Sequence, residues 1–247
     1  MQKWYMAMIQ YLMVGACVCL LGNQGMAKET PVPTPVGRVV WIQGTLKAIM
    51  PNQEERNLKK DSIIYLKDTL ITNANSTAQV IFTDQSLMTF TKNTRFFINQ
   101  YQFSKTKNYA AVKYVMNLLA GGFRTITGLI AKNKPTQYKI NTPVATIGIR
   151  GTDYAVYLDE SGKLFVGYYK GSPCVKTNKA EVCLDAKIPY ASASNLAVAP
   201  VPLSQQPAIF KEKLLIVPAK MELFILPSPG SSAPSVPSGT VNSICIS

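Results

Sequence analysis

The sequence predicts an all-β domain of short antiparallel strands, and three observations carry that prediction. Apolar and polar residues alternate with a period of two from about Gly37 to Tyr169. Turn-forming clusters such as Asn73-Ala74-Asn75-Ser76, Thr83-Asp84-Gln85-Ser86 and Asp159-Glu160-Ser161-Gly162 separate the runs. No clear helical period intervenes. Alternation sends one side-chain set to the core and the other to solvent. Many evenly spaced short strands then imply a sandwich, barrel or solenoid-like stack.

Taken in chain order, Met1–Ala27 reads as a secretory signal peptide. Lys3 supplies the early charge, Trp4–Leu21 the apolar middle, and Gly25 and Ala27 the small residues before a cut. Its removal lowers the net charge from +13 to +12. Lipid anchoring at Cys17, within Val14-Gly15-Ala16-Cys17, ranks second, and an uncleaved helical anchor third. All three place the domain outside the cytoplasm, as a periplasmic or secreted chain. Residues 28–36 form a proline-rich spacer containing Pro31, Pro33 and Pro35.

The β domain is expected over 37–199. Ala78, Val80 and Phe82 should face one way, with Gln79, Ile81 and Thr83 facing the other. Val112, Tyr114, Met116 and Leu118 repeat the pattern, as do Tyr154, Val156 and Leu158. Tyr109–Ala120 is the one stretch with some helical character, and its alternation fits a strand better. Ile140–Val156 carries two turn signals, Thr142-Pro143 and Arg150-Gly151-Thr152. Proline enforces an extended entry, and Gly151 marks a turn or a close approach. The segment reads as a strand–turn–strand corner.

These landmarks also resemble the FecR domain. Gly37-Arg38-Val39-Val40 and Gly44 match the glycines around its first strand, and Ile71-Thr72 its polar step. Ala78–Ser86 matches a hairpin that ends Asp-Gly-Ser in the family, with Gln85 standing where the family has glycine. Asn93-Thr94, Tyr101, Gly121-Gly122-Phe123-Arg124, the Thr-Pro step and Arg-Gly-Thr follow in order to about Lys170. The resemblance implies that Thr142, Pro143, Gly151 and Thr152 make the fold rather than bind a ligand. Arg150 would pair with a carboxylate or with carbonyls at a strand end. FecR proteins carry signals from an outer-membrane receptor to a sigma factor. Only Met1–Lys3 precede the apolar run, so the direct anti-sigma role is not expected here.

Cys174 and Cys183 flank Val175–Val182, and a turn at Asn178-Lys179 aligns 174 with 183, 175 with 182 and 176 with 181. Asn tolerates the positive φ of a tight hairpin turn. In an exported chain this predicts a cross-strand disulfide. Cys245 is left odd, either free or joining two chains. Residues 200–226 form an extension in which Pro200, Pro202 and Pro207 break regular structure. Leu214–Val217 and Leu223–Leu226 look like two edge strands. Residues 227–247, rich in Pro, Ser and Gly, are expected to be a flexible tail.

Composition narrows the function. The absence of histidine removes the commonest general base and zinc ligand. No catalytic residue, metal site or cofactor is therefore expected. A carboxylate hydrolase would need Asp84, Asp153 or Asp159 to face one another in a cleft. The 26 Lys and Arg against 13 Asp and Glu are scattered, which argues against nucleic acid and for a solvated basic face. The expected role is a non-catalytic binding or signalling-accessory module of the bacterial envelope, with an envelope protein or wall polymer as partner. The alternative is a structural envelope or surface protein touching peptidoglycan or anionic lipid. Membrane contact would run only through lipid or an N-terminal anchor, and the oligomeric state is left open.

Overall fold

The computed structural model of the chain describes residues 33–104 and 112–213. The signal peptide, Cys17, both apolar quartets after residue 213, the tail and Cys245 lie outside the described residues. Strand β1 (Pro35–Gln43) opens the domain and pairs antiparallel with β4 (Ile63–Tyr65) and β6 (Thr77–Phe82). Between them, β2 (Leu46–Ile49) pairs with β3 (Glu55–Leu58) and β5 (Thr69–Thr72). Strand β6 forms a hairpin with β7 (Leu87–Phe90), and β8 (Arg95–Gln102) lies against β5.

The spine is β9 (Lys113–Ile126), which changes neighbours half-way along. Its first half pairs with β8 on one edge and with β10 (Tyr138–Asn141) on the other. Its second half pairs with β7 and with β11 (Thr146–Leu158). The β9–β10 pair is parallel, so the chain must cross over before returning. Helix α1 (Leu129–Asn133) and a 3-10 turn at Pro135–Gln137 make that crossing. Sequence periodicity missed α1 because five residues are too few to show a helical repeat. Strand β12 (Leu164–Lys176) runs along β11, with β13 (Glu181–Cys183) and β14 (Tyr190–Ala193) pairing with it at opposite ends. An edge strand β15 (Val201–Leu203) and helix α2 (Ala208–Lys213) complete the described chain.

The predicted alternation builds the core. Val112, Tyr114, Met116 and Leu118 are all buried, as are Tyr154, Val156 and Leu158. Aromatic rings carry much of the packing: Phe96 meets Phe90 and Phe123, and Tyr114 stacks on Tyr138 with ring centroids 4.1 Å apart.

Three expectations need correction, and one short helix went unread in the sequence. Strand β6 is covered on both faces: Gln79 is buried and donates to Thr89 Oγ1 at 3.1 Å, while Ile81 packs with Val40 and Leu87. Pro202 does not break structure but sits in β15, which among the described residues pairs with β14 alone, so a missing N–H is tolerated. Ala208–Lys213 is helical, and its Phe210 packs on Ala155 and Tyr157 beside Gly167. Finally, Arg150-Gly151-Thr152 is no corner. The chain passes straight through it in β11, with Arg150 opposite Ser172 and Asp153 opposite Lys170. Two residues of β11 therefore face the single Gly171, whose φ is +87°, and the motif is a β-bulge. The side chains of Arg150, Gly151 and Thr152 lie outside the described residues.

The turn with Gln85 keeps the geometry that glycine favours, with φ at +69°. A side chain there is strained. Gln85→Gly is expected to stabilise the protein by about 0.5–1 kcal/mol. A thermal melt should show the midpoint rising by about 2 °C.

Candidate binding groove

The sequence landmarks come together in space as buried polar clusters. Thr72, Thr91 and Thr94 gather around Gly121-Gly122. Thr94 Oγ1 lies 2.8 Å from the Thr91 carbonyl oxygen and 2.9 Å from that of Gly122, and it accepts the Gly122 N–H at 3.1 Å. Thr72 Oγ1 donates to the Thr91 carbonyl and accepts the Thr94 N–H. Three landmarks far apart in sequence thus fasten β5, the β7–β8 turn and β9 together.

The second cluster surrounds Asp84. Its Oδ1 accepts from the Ser86 hydroxyl at 2.7 Å and the Ser86 N–H at 3.1 Å. Tyr101 Oη accepts the Asp84 N–H at 2.8 Å and lies 2.9 Å from Thr83 Oγ1. Burial pushes the Asp84 carboxyl above its usual range, only partly opposed by the bonds from Ser86, Ile130 and Tyr101. The same burial, with Asp84 nearby, pushes the Tyr101 hydroxyl up. The folded chain therefore keeps a proton on Asp84 to higher pH than the unfolded chain does. That contribution to stability is fully present below the ordinary carboxylate value of 3.8 and is lost as pH rises through the raised folded value. Asp84→Asn is expected to flatten this loss. Urea midpoints measured from acid to neutral pH should show it, with a residual slope from Asp68, which burial shifts in the same direction.

The third cluster flanks the bulge. Arg124 donates through Nε and Nη2 to the two carboxylate oxygens of Asp153, at 2.9 and 2.8 Å. Its guanidinium also lies 4.1 Å from the centre of the Tyr169 ring. The hydrogen bonds that Arg124 donates to Asp153 raise its pKa, against desolvation. Asp159 is occupied in its own turn, accepting from Ser161 and from the Lys163 N–H. Each of the three aspartates is thus tied to a local partner.

At the other landmark Thr142 closes a two-residue hairpin loop. Its N–H donates to the Ala145 carbonyl at 2.9 Å, and its Oγ1 accepts the Ala145 N–H at 3.0 Å. Pro143 occupies the first loop position, which its fixed φ suits. Both residues shape the turn between β10 and β11.

Beyond that turn, the outer face of β10, β11, β12 and β13 forms a groove of about 560 Å³. Register places Lys139, Gly148, Cys174 and Cys183 in one row across the four strands. Asn141, Thr146, Lys176 and Glu181 form the next row. The floor lies at Gly148, where an added Cβ would meet nothing within 4 Å. Leu196 and Asn178 stand at one rim and the Pro135-Thr136 turn at the other.

The disulfide between Cys174 and Cys183 is formed, and Val175 with Val182 and Lys176 with Glu181 pair as the sequence foretold. Its turn differs from expectation: neither Asn178 nor Lys179 has a positive φ. Thr177 holds the turn instead, its Oγ1 accepting the Lys179 and Ala180 N–H groups at 3.3 and 3.4 Å. Cys174, Glu181 and Cys183 bring ligand-type atoms within 4.8 Å, but both sulfurs are consumed in the bridge. Replacing both cysteines by serine is expected to cost about 2–3 kcal/mol, measurable as a lower urea midpoint.

Sequence reasoning named the Thr-Pro turn and the disulfide hairpin, but it did not single out Lys139, Gly148 or Lys176 as binding residues. Their only shared signal is the register of three separate strands.

The fold and its landmark clusters define an all-β module. Residues 68–172 match the family profile described as FecR protein, a match that starts at Asp68 rather than Gly37. The chain is also similar to two crystal structures of a candidate anti-sigma factor from Parabacteroides distasonis, at 2.50 and 1.65 Å resolution. Identities are 15% and 13%, both with a TM-score of 0.43, and 56% of this chain is covered. The chain spans 60% of the length of those structures. No curated protein matches.

Proposed function

We propose that this chain is a non-catalytic, exported FecR-domain protein that serves as a binding or signalling-accessory module in the bacterial envelope. The observation that carries this reading is the Cys174–Cys183 bridge at the wall of an open groove, directly after the FecR-matching residues 68–172. Disulfides persist in oxidising compartments, which supports a periplasmic or secreted location. The three aspartates that a carboxylate hydrolase would have used are engaged in structural bonds, which supports binding over chemistry. Export by residues 1–27, with the domain at 37–199, belongs to the same proposal, as does an envelope protein as partner. The test is affinity capture from envelope fractions by the tagged full chain. Retention of a discrete envelope protein is expected. Retention of no protein would remove this reading, and salt-sensitive co-sedimentation with wall material alone would favour the structural role.

A further inference from the structure

We propose that the groove binds an acidic, extended protein segment, with carboxylates held at Lys139 and Lys176 and the peptide chain lying over Gly148. This rests on the binding-module reading and names the partner's chemistry. Among the described residues, Lys139 forms no ion pair, and Lys176 forms none although Glu181 stands opposite it in register. Both lysines lie beside the floor: Lys139 is directly across from Gly148, and Lys176 is one row away on the next strand. Two cations on a diagonal across an open floor suit a ligand whose negative charges are spaced along a chain.

The remaining lining favours a peptide over a glycan. Asn178 offers an amide at the rim, and Asn141 and Thr146, bonded to each other at 3.2 Å, keep a spare amide hydrogen and hydroxyl lone pair for a peptide backbone, while exposed Leu196 offers an apolar contact. Among the described residues the only aromatic lining the groove, Tyr138, is itself buried in the core. Its ring is stacked on Tyr114, so no ring face is free for a sugar. The net charge of +13 adds long-range attraction for an acidic partner.

The test uses the full chain with its disulfide intact. The probes are a labelled eight-residue peptide of alternating Glu and Leu, its Gln-Leu counterpart, and an oligogalacturonate. The wild type should bind the Glu-Leu peptide saturably and the Gln-Leu peptide roughly ten-fold more weakly. Lys139→Gln with Lys176→Gln should weaken Glu-Leu binding by a similar factor. Gly148→Val should abolish it without lowering the melting temperature, because the floor has room and valine suits a strand. Should Gly148→Val melt early, Gly148→Ala takes its place beside the lysine variant. Equal binding of the two peptides, full binding by the floor or lysine variants, tighter binding of the oligogalacturonate, or no saturable peptide binding would each overturn the proposal. Continued capture of an envelope protein by variants that fill the groove would sink the groove assignment and leave the binding-module reading intact.

Discussion

Gly121→Ala is expected to lower stability by about 3 kcal/mol or more. Two costs coincide at this position. Gly121 has φ at +71°, a conformation that other residues adopt only with strain. Its added Cβ would also lie 2.6 Å from the Asn93 carbonyl oxygen and 2.6 Å from Thr94 Cα. Both obstacles are backbone or Cα atoms, so no side chain can swing away. The neighbouring threonine cluster would have to open, and with it the point where β9 exchanges β8 and β10 for β7 and β11. Urea unfolding followed by tyrosine fluorescence should show the midpoint collapse. A loss under 1 kcal/mol would contradict this role for the glycine pair.

Arg124→Ala is the second large effect, expected at about 2 kcal/mol. Removing one partner strands the Asp153 carboxylate beside the bulge, and also strips the cation from the Tyr169 ring. The side chains retain 12% and 19% exposure, so the loss is set below that of a fully buried pair. A double-mutant cycle with Asp153→Asn separates the pair from the packing. The double variant should be less damaged than the sum of the singles, because neither charge is then left alone. Simple additivity would show that the pair contributes nothing.

Much of this fold was legible in the sequence because alternation is local. Tyr114, Met116 and Leu118 reveal their shared face without knowledge of any partner strand. The disulfide hairpin was legible for the same reason, since its register follows from a turn between Cys174 and Cys183. What was not legible depends on residues far apart in the chain. Thr72, Thr94 and Gly121 read as separate turn residues until strand pairing brings them to one point. Arg-Gly-Thr resembled a corner because a glycine among β-formers marks a bulge or a turn alike, and only Gly171 on the facing strand decides which. The groove was the least visible part. Lys139, Gly148 and Lys176 are unremarkable alone, and they become a site only when three strands align them.

The landmarks that carry the family resemblance therefore act mostly inside the molecule. They fasten strands through the threonine, Asp84 and Arg124 clusters, while the groove lies on the outer face of β10–β13. The Thr142-Pro143 turn links the two layers of meaning: it is structural itself, yet it sets the register that places Lys139 beside Gly148.

The most direct test is site-specific photocrosslinking in living cells, with a photoreactive amino acid at Asn178 on the groove rim and, as control, at exposed Arg95 on β8. The groove assignment predicts a discrete adduct with an envelope protein from position 178, lost when Gly148→Val fills the floor, and no such adduct from position 95. Adducts of equal yield from both positions, or no adduct from position 178, would contradict it.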